Sequence, residues 1–151
     1  MSDWSKRMAQ NIRRTEESIG AGNARALQVG QLLDSMAPDK WKELRDMITQ
    51  KCTEFNAEPE MNRRLVYDTS KPEALIVENI KNHKEFRVLF DRERHRVSAS
   101  GAVEAAYQIC VKDGSRELYF AEITRKGLGQ SGIAPERIAE DVITAFLQSL
   151  G

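Results

Sequence analysis

The stretch with the most recognisable chemistry is Gly127-Leu128-Gly129-Gln130-Ser131-Gly132. It matches G-x-G-x-x-G, in which glycines let backbone amides approach a pyrophosphate. It follows an expected strand and precedes an expected helix. A dinucleotide-binding unit also needs a further parallel strand after that helix, with an acidic residue beyond it. Neither is expected past the last helix, so that reading is set aside. A narrower one stays open: Arg125, Lys126, Gly127, Gly129, Ser131 and Gly132 could hold an anion near a helix N-terminus, at the mouth of a sheet–helix cleft. A flexible connector is the simpler account.

The second candidate is Arg92-Glu93-Arg94-His95-Arg96. Alternate turns of a meander lie at the same end of the sheet. Arg92, Arg94, His95 and Arg96 are therefore expected beside Lys112 and Arg116, forming a basic edge suited to phosphates. No aromatic residue is interleaved for base stacking. Glu93 and Asp113 dilute the charge, and a solvated turn explains the run as well.

Other chemistry is sparse. The two histidines, His83 and His95, fall on turns at opposite ends of the sheet, so no metal site is expected. Cys52 and Cys110 have neither disulfide-framework nor zinc-ligand spacing. No nucleophile elbow, zincin motif or P-loop is present. Glu122 is the one carboxylate expected near an apolar strand face, where burial would raise its pKa; a position at the strand end, reaching water, is the simpler expectation. No cofactor is indicated. These residues lean away from an enzyme without deciding the matter, because active sites can be built from residues that no motif advertises.

Composition bounds the rest. The chain has 151 residues, enough for one domain with a proper core. Lys plus Arg equals Asp plus Glu, 23 against 23, so overall charge gives no pull towards nucleic acid or an anionic membrane. The N-terminal residues lack the apolar run of a secretory signal, and no run approaches a membrane span, so a cytoplasmic setting is expected.

The elements that must position these residues read as α+β. Apolar or small residues at Trp4, Met8, Ile12, Thr15, Ile19, Gly22, Ala26, Val29, Leu33 and Met36 settle into steps of three and four, the seam of a helix packed on a helix. Gly20-Ala21-Gly22 interrupts the composition, but the phase survives, which slightly favours one long helix there; the alternative is a first helix ending at Gly20 and a second capped by Asn23. Ala37-Pro38-Asp39 reads as a stop followed by a new start. A second seam follows at Trp41, Leu44, Ile48, Cys52 and Phe55. The expected assembly is an N-terminal helical hairpin over residues 1–56, its first helix longer than its partner. Residues 57–151 then form an antiparallel meander of about five strands with a C-terminal helix to Leu150 packed on it. Within the meander, Phe86, Val88 and Phe90 should face Val97 and Ala99 across a turn at Arg92–His95. Asp113-Gly114 signals a two-residue type I′ turn that sets Ile109 opposite Leu118 and Tyr107 opposite Phe120.

The first seam is longer than a hairpin can cover. Its excess must pack on the sheet or on another chain. Trp4, Met8, Ile12, Ile19, Val29 and Leu33 are therefore the expected interface of a homodimer. The leading expectation is a non-enzymatic interaction or adaptor protein with a further protein partner. An anion- or small-molecule-binding domain stands second. A nucleic-acid binder stands third and is not favoured.

Overall fold

Val97 lies opposite Phe90, and Ala99 opposite Val88, across the turn at residues 92–95. This hairpin is the expected one, set by alternating apolar residues on a single face. The computed structural model describes residues 3–149, without the side chains of residues 21 and 22; Leu150, the expected end of the last helix, lies outside that range. The chain divides into one compact unit ending at Leu32 and another beginning at Leu33.

The second unit carries a seven-stranded antiparallel sheet in which every strand neighbours the next in sequence. The strands are β1 (Leu65–Asp68), β2 (Ala74–Asn79), β3 (Glu85–Asp91), β4 (Arg96–Gly101), β5 (Ala105–Val111), β6 (Leu118–Thr124) and β7 (Gly127–Ile133). Helix α1 (Asp3–Asn56) precedes them and α2 (Pro135–Gln148) follows. The α+β class and the terminal helix agree with expectation; the strand number and the hairpin do not.

One of the added strands is the glycine segment. It is not a loop but β7, laid along β6. Arg125 and Lys126 form the tight connection, with Thr124 opposite Gly127. The Thr124 hydroxyl donates to the Gly127 carbonyl at 2.8 Å, and Gly127 takes a φ of 116° that other residues rarely adopt. The β6–β7 register shifts on either side of Ala121.

The β5–β6 register also differs from expectation. Ile109 faces Phe120, Tyr107 faces Glu122, and Val111 faces Leu118. Only Gly114 of the Asp113-Gly114 pair has positive φ, whereas a type I′ turn needs both. Instead, Lys112 N–H donates to the Glu117 carbonyl, and Ser115 folds back onto Lys112 inside a longer loop. The slip moves each β6 partner by two residues. An even slip keeps the same side chains on the same face, so Tyr107, Ile109 and Phe120 remain in the core. Glu122 is exposed, as its position beside the strand end suggests.

Helix α1 does not turn back at Ala37-Pro38-Asp39; it continues through Pro38. A proline inside a helix removes one donor and costs about 3 kcal/mol. Here Ala37 and Trp41, on either side of it, are buried in the core. Their packing offsets that cost. The second seam therefore faces the sheet, not a partner helix. Ala37, Trp41, Leu44, Ile48 and Cys52 join Leu75, Val77, Phe86, Val88, Phe90, Val97 and Phe120 in one core. Helix α2 adds Ile138, Ala139, Val142, Ile143 and Phe146, with Phe146 edge-on to Phe86 at 4.8 Å. Pro135 starts this helix and Glu136 sits in its first turn, favourable for the dipole.

Polar groups fix the elements in place. The Asn56 amide brackets Leu65, donating to its carbonyl at 2.8 Å and accepting from its N–H at 3.0 Å, so the end of α1 is tied to the start of β1. Lys51 donates to Glu136 at 2.9 Å and lies 3.2 Å from Glu140, tying α1 to α2. Hydrogen bonds to Glu136 and then Glu140 hold this ammonium well above the ordinary lysine range.

Candidate self-association surface

Residues 3–32 of α1 are rich in Ala, Arg and Gln, all good helix formers. Asp3 occupies the first turn. The helix runs on through Gly20 and Gly30, where an added Cβ would meet nothing within 4 Å. The glycines therefore save no steric clash.

The apolar residues of this segment are turned to water. Trp4 is 64% exposed, Ile12 55%, Ile19 59% and Leu27 64%; Met8 and Val29 are exposed as well. Positions 8, 12, 15, 19, 22, 26 and 29 advance in steps of four and three without a break. That is a repeat of about 3.5 residues, the spacing of helices wound on one another. If 12, 19 and 26 are a positions, then 8, 15, 22 and 29 are d positions. The flanking e and g positions are Ala9, Glu16, Asn23 and Gly30, and Asn11, Ser18, Arg25 and Leu32. Only Glu16 and Arg25 among these are charged. Lys6, Arg7, Arg13, Arg14 and Glu17 lie elsewhere around the helix.

The phase changes at Leu33. Leu33, Ala37 and Trp41 follow in two steps of four, an insertion that rotates the apolar line. Leu33 itself packs against the core of the second unit. It belongs to the point where one seam gives way to the other, while Met8, Ile12, Ile19 and Val29 carry the exposed line and Trp4 is exposed outside its phase.

The other candidate residues are dispersed or engaged. Arg125 and Lys126 occupy the β6–β7 turn. Gly127, Gly129 and Ser131 lie along β7, and Gly132 near its end. The seven residues of β7, about 23 Å of strand, separate that turn from the start of α2. The amides that face β6 are committed to the ladder. On the basic edge, Arg92 pairs with Glu73 at 2.9 Å, and Arg96 donates to Gln108 at 2.8 Å. Arg94 lies 4.0 Å from Asp91. His95 is held 2.7 Å from Asp34 of α1. Arg116 is exposed in the β5–β6 loop. A shallow groove on α2 is lined by Glu136, Arg137, Glu140 and Asp141, where Lys51 and an Arg137–Asp141 pair balance the charges.

Among the described residues, no group of His, Cys, Asp and Glu is arranged to hold a metal ion, and no helix is long and apolar enough to cross a membrane. A scan against protein-family models finds no match, and comparisons with curated proteins and with solved structures find none.

Proposed function

We propose that this is a non-enzymatic interaction module that self-associates through residues 8–29 of α1. One observation carries the reading: four large water-exposed apolar side chains, Met8, Ile12, Ile19 and Val29, at coiled-coil spacing with small residues between them and flanks almost free of charge. Covering a large apolar side chain contributes roughly 1.5–3 kcal/mol, and a second copy offers the matching line. In this reading the sheet unit serves a further protein partner, and the exposed Val66 and Leu89 are available on it.

Sedimentation equilibrium of the full chain across the micromolar range tests the proposal. The expected result is a dimer that becomes monomeric in an Ile12→Asp, Ile19→Asp variant. Trp41 is buried in the core, so an unchanged near-ultraviolet signal would show that the variant keeps its folded unit. A monomer at several hundred micromolar would overturn the proposal.

A further inference from the structure

Resting on the reading of residues 8–29 as a self-association surface, we infer that the two copies of α1 pair antiparallel, centred between Gly20 and Ala21, with Ile12 of one copy against Val29 of the other. The six seam positions from 12 to 29 are symmetric about that point; the seventh, Met8, falls opposite Leu33. Reversing the partner sets 12 against 29, 15 against 26, and 19 against 22. Each layer then joins one a position to one d position, as antiparallel helices require.

The side-chain volumes separate the two orientations. In a parallel pair each layer meets itself. Ile12 and Ile19 then make thick layers, while Thr15, Gly22 and Ala26 make thin ones. Packed interiors tolerate few voids, and alternating large with small residues across a seam avoids them. The antiparallel register does this at its central layer. Ile19 comes over Gly22, where no Cβ opposes it. Thr15 meets Ala26, and Ile12 meets Val29. Gly22 thereby acquires a role in the pairing.

Charge points the same way. Residues 6–14 contain Lys6, Arg7, Arg13 and Arg14 and no acid, whereas residues 27–32 contain no charged residue. Parallel pairing would set the two basic stretches side by side. Antiparallel pairing sets Arg13 and Arg14 beside the uncharged Gln28 and Leu27, brings Arg7 opposite Asp34, and opposes the two helix dipoles. The flank pairs become Glu16 with Asn23 and Ser18 with Arg25, without like charges.

Cross-linking in the full chain tests the orientation. Ile12→Cys and Val29→Cys are made singly in a Cys110→Ser background, mixed, and oxidised. The antiparallel pair gives the mixed disulfide between positions 12 and 29 and little of either self-disulfide. Abundant Ile12→Cys self-disulfide in a chain that sediments as a dimer would overturn the orientation while leaving self-association intact. A monomer by sedimentation would instead overturn the underlying reading. Spin labels at Arg7→Cys give a second measure, because antiparallel helices hold the two labels roughly 40 Å apart along the axis. A separation near half that value would count against the inference.

Discussion

Trp41 lies over Phe90 with ring centroids 6.0 Å apart and planes 11° from parallel. Its indole Nε1–H donates to the Pro72 carbonyl at 2.8 Å, which also accepts from Arg45 at 3.1 Å. One side chain thus pins α1 to β3 and to the β1–β2 turn. Trp41→Ala should cost about 3–5 kcal/mol, as large core truncations do. Trp41→Phe keeps a ring beside Phe90 and loses the donor, a cost of about 1–2 kcal/mol. Urea unfolding followed by circular dichroism checks both values and their order.

Two glycines with positive φ should respond unequally to alanine. At Gly101, φ is 94° and an added Cβ would sit 2.8 Å from the Glu85 carbonyl oxygen. At Gly114, φ is 73° and nothing lies within 4 Å. Gly114→Ala carries the conformational penalty alone, about 1 kcal/mol. Gly101→Ala adds a backbone clash and should cost about 3 kcal/mol or more. Equal midpoints for the two variants in urea would contradict this assignment.

Burial pushes the Cys52 thiol from its ordinary 9.0 up to about 12. In the unfolded chain the thiol ionises near 9.0, while in the folded chain it stays neutral. Its contribution to stability is therefore complete below pH 9 and declines as pH rises towards 12, by up to about 1.4 kcal/mol per unit. Cys52→Ala should flatten this alkaline decline, measured as urea midpoints at pH 8, 9 and 10. Burial also raises Cys110, with a Tyr119 hydrogen bond opposing it. Cys110 is only partly covered, so a thiol reagent should titrate one cysteine in the native chain and two in denaturant.

Gly20→Ala should strengthen the N-terminal helix, because the new methyl enters open space and alanine is favoured by about 1 kcal/mol. The expected signs are a larger helical signal at 222 nm and slower amide exchange around residue 20. A variant with faster exchange there would show that the helix is broken at this point.

The parts of the fold that local chemistry controls were legible in the chain. Phe86, Val88 and Phe90 can satisfy one face only with Val97 and Ala99 opposite, so that hairpin follows from alternation. The β5–β6 faces were legible for the same reason, while their register depended on the Lys112–Glu117 loop, which Asp113-Gly114 alone does not specify. Pro38 is strong local punctuation, but it was overruled by Ala37 and Trp41, whose partners lie far along the chain on the sheet. Strand β7 was hidden because its glycines lack strand-forming side chains; pairing with β6 supplies what local preference does not. The exposed seam was readable as spacing. Leu33 was not assignable that way, since its neighbours belong to the core of the second unit.

The margins of the sheet have a consequence of their own. β1 is four residues long, and the β6–β7 ladder shifts register on both sides of Ala121. Short or bulged rims are poor templates for adding strands. Crowding many copies together should therefore not seed fibrils from the sheet, and concentrated solutions should stay clear of thioflavin-positive material.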